Sequence, residues 1–159
     1  MVALGRKVPG AGRIYFTGGV TAVLLGWREA TLDIDLKADP EPAQFFGSLS
    51  GVKEGLEINV ELASPSDFIP SLPGWQGRSI YIDRQGQIDF YHYDLYSQAL
   101  AKIERFHARD QIDVAKMFEQ GYVKADRLRE LFEAIKPSLE RFPGIDAELF
   151  ARQVYTLTS

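Results

Sequence analysis

The stretch "FTGGVTAVLLGWREATLDIDL", residues 16–36, decides the fold of this chain. Its first residue, Phe16, ends a short β-branched and aromatic run over residues 14–16, which is typical of a strand. Gly18 and Gly19 then interrupt the run. After the glycines, apolar side chains recur at helical spacing, at Val20, Val23, Leu24 and Trp27. The pattern predicts a strand, a tight turn and a helix.

The end of the same stretch predicts a second strand with one polar face. Residues 32–37 alternate Leu, Asp, Ile, Asp, Leu and Lys, which is the period of two expected of a strand. Asp33 and Asp35 should therefore point the same way, about 7 Å apart at a strand rise of roughly 3.3 Å per residue. Two carboxylates on one face repel each other unless a cation lies between them. Their oxygens suit a hard cation such as Mg²⁺.

The predicted turn into the helix suits a phosphate. The first backbone N–H groups of a helix have no partner within the helix, and they lie at the positive end of its dipole. A glycine at this point lets phosphate oxygens come close to the amides because no side chain intervenes. The sequence thus predicts a phosphate site at Gly18 and Gly19, close to the carboxylate pair.

Length and composition limit the class of protein. The chain has 159 residues, 45% hydrophobic and 25% charged, so we expect a single domain over residues 1–159. It lacks cysteine and any apolar run of the roughly 18 residues that a membrane span requires. We expect a cytoplasmic protein with no membrane partner. The net charge of −4 argues against broad binding to nucleic acid.

The patterns along the chain predict an α/β (α+β) fold, with a mixed β-sheet, flanking helices and a helical C-terminal part. Residues 1–13 contain three glycines and a proline without an apolar period, so they are interpreted as a loose lead-in. Residues 14–94 should form the mixed sheet with its helices, and residues 95–159 the helical part. Within this plan we expect a helix over residues 42–50 and a functional loop over residues 64–77.

The glycine pair and the aspartate pair together resemble the signature of the nucleotidyltransferase superfamily, whose fold is shared with DNA polymerase beta. Thr17-Gly18-Gly19 is followed, after thirteen residues, by Asp33-Ile34-Asp35-Leu36, and Thr17 departs from the hydrophobic residue usual at its position. The resemblance implies transfer of a nucleoside monophosphate from an NTP to an acceptor hydroxyl, with Mg²⁺ or Mn²⁺. Asp33 and Asp35 would then be catalytic metal ligands, and residues 17–19 would bind the nucleotide.

Further residues are similar to a bacterial branch related to the AbiE-type toxin nucleotidyltransferases. Arg28 and Thr31 precede the aspartates, and Lys102 is followed by the element at residues 109–113, Arg-Asp-Gln-Ile-Asp. The resemblance, which spans residues 14–121, implies nucleotide binding by Arg28 and Thr31 and catalytic roles for Lys102 and Asp110. It also implies an acceptor that is a protein, a transfer RNA or a small molecule, and a cognate partner protein.

The family pattern calls for a third acid on the next strand, and two residues fit it. Glu57 and Glu61 both stand between hydrophobic neighbours in the segment "LEINVEL", residues 56–62. We prefer Glu61 as the third catalytic and metal-binding carboxylate, although either glutamate is also explained as an exposed strand residue.

Other candidate residues have structural explanations. Lys102 fits a surface position on a helix, and Asp110 is a residue type that favours a helix N-cap. Arg28 could pair with Glu29 or Asp33. Asp113 is interpreted as a structural partner of the nearby arginine at position 109.

Two other functions stay open at this point. The chain could be a non-catalytic nucleotide-binding or toxin–antitoxin-type interaction protein that kept the fold. It could also be a metal-dependent phosphohydrolase, which would release inorganic phosphate and leave no nucleotide on an acceptor.

Overall fold

The computed structural model describes all residues, 1–159, and they group into two compact units. The sheet unit comprises Met1–Ser64 and Ser79–Tyr93. The helical unit comprises Pro65–Arg78 and Asp94–Ser159. The helical unit therefore includes one short stretch, Pro65–Arg78, from the first half of the chain.

A mixed sheet of five strands forms the centre of the sheet unit. The strands are β1 (Gly12–Thr17), β2 (Asp33–Ala38), β3 (Asn59–Glu61), β4 (Ile80–Gln85) and β5 (Ile88–His92). They lie in the order β3-β2-β1-β5-β4. β1 is antiparallel to β2 and parallel to β5, while β2–β3 is parallel and β4–β5 antiparallel. The predicted mixed sheet is confirmed.

Three helices accompany the sheet, and they are α1 (Val2–Lys7), α2 (Gly18–Leu25) and α3 (Phe45–Leu56). Alternate residues of the strands are buried with these helices in one apolar core. Its buried members are Leu4, Val8, Ile14, Phe16, Leu36, Phe45, Leu49, Val52, Val60, Ile88 and Phe90. Since strand side chains alternate between faces, the remaining strand residues are left for the opposite face of the sheet.

The prediction of a loose lead-in over residues 1–13 is wrong. Val2–Lys7 forms α1, and β1 already begins at Gly12. Leu4 and Val8 stand four positions apart, so both reach the core from one side of the chain. Gly5 weakens the helical pattern in the sequence. Glycine is needed here because its Cα approaches β4 so closely that an added Cβ would lie 2.5 Å from the Gln85 Cβ.

The segment between β2 and β4 also departs from its prediction. The expected helix over residues 42–50 begins at Phe45 and continues to Leu56, and the following strand has only three residues. The proline-rich loop over residues 64–77 contains a 3₁₀ turn at Pro65–Asp67. It leads into the short helix α4 (Trp75–Arg78).

A buried polar pair connects α2 to the sheet. The Thr21 hydroxyl lies 3.0 Å from His92 Nδ1. Thr21 is fully buried and His92 is 4% exposed. Burial lowers the pKa of His92 from its ordinary value of 6.5 to about 4, because an apolar environment disfavours the charged imidazolium.

The helical unit consists mainly of four further helices, which follow where the predicted helical part begins. They are α5 (Leu95–Arg105), α6 (Ala108–Glu119), α7 (Ala125–Ile135) and α8 (Ala147–Thr158). Gly121, with a positive φ of 78°, follows the C-cap residue of α6, where glycine commonly ends a helix. Pro137 lies within a 3₁₀ segment, Lys136–Arg141, that continues from α7.

An ion pair fixes the start of α5. Asp94 is fully buried and caps the helix by accepting hydrogen bonds from the Tyr96 and Ser97 amides. Arg78 donates to both Asp94 oxygens, from Nε at 3.2 Å and Nη2 at 2.9 Å. The Ser97 hydroxyl adds a bond of 2.7 Å. The carboxylate is therefore fully engaged although it is removed from water.

Every helix in the structure is too short or too polar to span a lipid bilayer.

The stability of the sheet unit should depend on the protonation of His92. The unfolded chain takes up the proton near pH 6.5 and the folded chain only near pH 4, so this residue favours folding above pH 6.5. The free energy of unfolding should fall by about 2 kcal/mol between pH 7 and pH 5 from this residue alone. Urea titrations of the wild type and His92→Gln at both pH values measure the difference.

The second histidine provides the matched control. His107 has an exposed side chain, so His107→Gln should keep the pH dependence of the wild type. An equal fall in the free energy of unfolding for the wild type and His92→Gln would contradict the assignment.

The two aspartates at N-cap positions, Asp94 and Asp146, should differ in their contribution to stability. Asp94→Ala leaves Arg78 without its partner and removes the cap, which should lower the free energy of unfolding by about 3 kcal/mol or more. Asp146 caps the exposed start of α8 through the Leu149 amide, so Asp146→Ala should cost about 1 kcal/mol. Urea titration of both variants tests this, and equal losses would contradict it.

Candidate functional site

The site is organised by the register of the three neighbouring strands at one edge of the sheet. Asp35 of β2 is paired with Thr17 of β1 on one side and with Glu61 of β3 on the other. Residues paired in this way direct their side chains to the same face. Asp33 lies two residues before Asp35, and its partner on β3 is Asn59. Both aspartates and Glu61 thus share the face opposite the apolar core.

Asn59 connects two of these carboxylates. Its side-chain amide donates to Asp33 Oδ1 at 2.6 Å and lies 3.5 Å from Glu61 Oε1. The neutral amide thereby reduces the repulsion between two like charges on adjacent strands. Sequence reasoning missed Asn59, although its position two residues before Glu61 already placed it on the acidic face.

The turn between β1 and α2 brings Gly18 next to Asp35. Gly18 has a φ of +61°, a conformation that residues with a side chain rarely adopt. A Cβ added to Gly18 would lie 3.1 Å from Asp35 Oδ2. Glycine therefore avoids backbone strain at this position, and any side chain here would also crowd the Asp35 carboxylate.

Gly19 lies close to two more of the predicted residues, Thr31 and Arg28. The Thr31 side chain packs so closely that an added Cβ on Gly19 would overlap its hydroxyl and lie 2.7 Å from its Cβ. Arg28 Nη1 would be 3.1 Å away from the same added atom. The Thr31 hydroxyl donates to the Asp33 carbonyl at 3.1 Å, which ties this loop to the start of β2. The structure thus gathers Gly19, Arg28 and Thr31 at the amino end of α2.

The amino end of α2 has no side-chain cap. Thr17 occupies the N-cap position, but its hydroxyl points to the Ala63 carbonyl at 3.5 Å and makes no capping bond. The positive end of the helix dipole therefore lies beside the Asp35 carboxylate. This arrangement favours an anion, and a cation would balance the nearby carboxylates.

Glu57, the other candidate for the third acid, lies outside the strand row. It is the residue that ends α3, with a φ of 52°, and β3 begins only at Asn59. Glu61 is the glutamate in register with Asp35.

The remaining two predicted residues, Lys102 and Asp110, belong to the helical unit, and both form ion pairs. Lys102 is 8% exposed, and its Nζ lies 2.8 Å from Asp113 Oδ2 and 3.6 Å from Asp110 Oδ1. The expected pairing of Asp113 with Arg109 is not the one found, because the buried Lys102 ammonium is its partner. Likewise, Lys102 is not the surface residue that its helical position suggested.

Asp110 interacts mainly with Arg105. The guanidinium donates to both carboxylate oxygens, at 2.8 and 2.6 Å, and Asp110 also accepts the His107 amide at 3.1 Å. Burial by itself would raise the pKa of Asp110. The bonds and charge of Arg105, with Lys102, outweigh this effect, so the pKa lies below its ordinary value. The N-cap residue of α6 is His107, and Asp110 contributes to the cap from the first turn.

The donor chemistry of the sheet-unit site fits Mg²⁺ or Mn²⁺ in part. Asp33, Asp35 and Glu61 supply only oxygen atoms on one face, which is the ligand type that hard cations prefer. No three acidic or histidine side chains of the chain come close enough together to hold a metal ion. The residue types thus suit a cation, although only two of these carboxylates, Asp33 and Asp35, come from one strand.

Comparison with known proteins adds one finding. The sequence model of one family matches residues 15–152, which include the glycine turn, all the strand carboxylates and most of the helical unit. No curated protein and no solved structure matches the chain. The match covers most of the 159 residues. The chain belongs to the family described as nucleotidyltransferase of unknown function (DUF6036).

Proposed function

We propose that this protein transfers a nucleoside monophosphate from an NTP to the hydroxyl of an acceptor, with release of pyrophosphate. The acceptor is a protein, a transfer RNA or a small molecule. A relationship to the AbiE-type toxin nucleotidyltransferases, together with a cognate partner protein, belongs to the same proposal. Family membership supports the general reaction.

The observation that supports the proposal most directly is the shared face of Asp33, Asp35 and Glu61. Strand pairing sets Asp35 beside Glu61. Gly18 brings the first turn of α2 next to the Asp35 carboxylate. An anion site and an acidic site are thus adjacent. A triphosphate with its cation has this distribution of charge.

In the proposed reaction, the amides at Gly18 and Gly19 bind phosphate oxygens of the NTP. Arg28 offsets negative charge on the phosphates, and Thr31 holds the loop against β2. Asp33 and Asp35 would hold Mg²⁺ or Mn²⁺, with Glu61 as a further carboxylate on the same face, and the cation would polarise the α-phosphate and offset charge on the leaving pyrophosphate. Asn59 orients Asp33 and Glu61 through its amide.

We assign no step of the reaction to Lys102 or Asp110. The resemblance implies catalytic roles for both, whereas their contacts favour a structural role. Lys102 is committed to Asp113, and Asp110 to the bidentate bond from Arg105. These bonds fasten α5 to α6 inside the helical unit.

Two observations favour the alternative of a non-catalytic nucleotide-binding protein. No group of three acids is close enough to hold a metal ion, and Asp33 already accepts a short bond from Asn59. A protein of this kind would bind an NTP without turnover.

Transfer should be detected with NTPs labelled at the α-phosphate, incubated with Mg²⁺ or Mn²⁺ and with total RNA, total protein or small metabolites. We expect label on one acceptor class with the wild type. Asp33→Asn and Asp35→Asn should each lower the rate by about 100-fold or more, because each loses a ligand charge.

Asp126→Asn is the matched control, since Asp126 is an exposed aspartate of α7 and should keep full activity. An NTP-dependent rise in Tm without transfer would favour the binding protein over the enzyme. Release of inorganic phosphate, with labelled nucleoside diphosphate as the other product and no label on an acceptor, would indicate a phosphohydrolase. Failure of every NTP to bind, with either metal, would falsify the proposal and its alternative together.

Glu61 and Glu57 should differ in the same assay. Glu61→Gln should lower the transfer rate by about 10-fold or more, because Glu61 adjoins Asp35, whereas Glu57→Gln should leave it unchanged. Transfer rates at saturating NTP give the comparison. Equal activity of Glu61→Gln and the wild type would remove Glu61 from the proposed site.

A further inference from the structure

The buried pair of Thr21 and His92 is not part of the proposed reaction, yet it lies directly behind the proposed phosphate site. Thr21 is the fourth residue of α2 and has no exposed surface. Its hydroxyl contacts His92 Nδ1 at 3.0 Å and the Phe16 carbonyl at 3.4 Å. Two polar side chains are thus buried where the rest of the core is apolar.

The direction of these hydrogen bonds follows from the count of protons. A hydroxyl has one hydrogen, and a carbonyl can only accept. Both contacts are hydrogen bonds only when His92 carries its proton on Nδ1 and donates to Thr21, which then donates to Phe16. With that tautomer, a directed chain of bonds runs from β5, through α2, to the end of β1.

Few side chains of the helix are fully buried, and Val20 packs against the apolar core only partly buried. α2 contains eight residues, and its only buried ones are Thr21 and Ala22. Thr17 makes no capping bond at its start. Hydrogen bonds have preferred directions and apolar contacts do not, so the Thr21 hydroxyl defines the rotation of α2 about its axis.

The Phe16 carbonyl is a fixed reference for this rotation. It also accepts the Tyr93 amide at 2.8 Å, and Phe16 is paired in register with His92. One backbone oxygen at the end of β1 therefore meets both the strand that holds His92 and the helix that begins at Gly18.

We propose that Thr21 and His92 are positioning residues for nucleotide binding: their hydrogen-bond chain sets the direction of the Gly18 and Gly19 amides. The inference rests on the proposed function. A change in either residue should weaken NTP binding through the orientation of α2, with no contact between these side chains and the nucleotide.

Thr21→Val tests this proposal because it keeps the shape of the side chain and removes the hydroxyl. The Kd for the NTP that the wild type binds best should rise about 10-fold, since small errors of position weaken oriented contacts strongly. Thr21→Ser, which restores the hydroxyl, should bring the Kd back near the wild-type value. Isothermal titration at a temperature well below the Tm of every variant provides the data.

Val52→Ala is the matched control for loss of stability alone. Val52 is buried in the same core but on α3. This variant should lower the Tm and leave the Kd unchanged. An unchanged Kd for Thr21→Val, or an equal rise for Val52→Ala, would overturn the positioning role, whereas absence of NTP binding by the wild type would refute the proposed function itself.

A measurement on the wild type does not depend on how the variants fold. In ¹⁵N NMR spectra, His92 should show the tautomer with the proton on Nδ1. Addition of the NTP should shift the Gly18 and Gly19 amide signals together with the His92 ring signals. A proton on Nε2, or glycine shifts without any change at His92, would contradict the proposal.

Discussion

The site depends on one constraint, the register of β2 between β1 and β3. Leu36 is buried in the core from one face of β2, while Asp33 and Asp35 project from the other. A slip of one residue would exchange the faces and bury the carboxylates, at a cost of several kcal/mol for each uncompensated charge. The apolar residues of β2 thus fix the acidic residues, and core packing determines where the charges gather.

The two glycines are explained by this same packing before any ligand is considered. Gly18 needs a positive φ and leaves room for Asp35, and Gly19 leaves room for Thr31. A larger residue at position 19 would overlap Thr31, and one at position 18 would be strained and would crowd Asp35. The glycines therefore keep the helix dipole and the carboxylates close together, and this closeness is what a phosphate with its cation would use.

Much of this arrangement was predictable because it follows from local periodicity. The alternation at residues 32–37 is sufficient to place Asp33 and Asp35 on one face, and the glycine pair marks the turn into α2. The presence of α1 was not predictable in the same way. Gly5 lowers helix propensity, and the helix is explained by tertiary packing of Leu4 and Val8 against the core.

Contacts between side chains that are distant in sequence were also not predicted from the sequence. Spacing along one helix favours a pair between Arg109 and Asp113, yet Asp113 bonds to Lys102 of the preceding helix. Asn59 meets Asp33 because two strands run parallel in one register, which no local pattern encodes. Such contacts depend on how elements pack, so they become visible only in three dimensions.

The distribution of charge then separates the two units by role. In the helical unit, buried carboxylates meet cations, with Asp94 on Arg78 and Asp113 on Lys102. In the sheet unit, Asp33 and Glu61 meet the neutral amide of Asn59. An amide relieves repulsion without cancelling the charge, so these two carboxylates keep their attraction for a cation. The ion pairs of the helical unit are consistent with stability, and the acidic row of the sheet unit is consistent with binding.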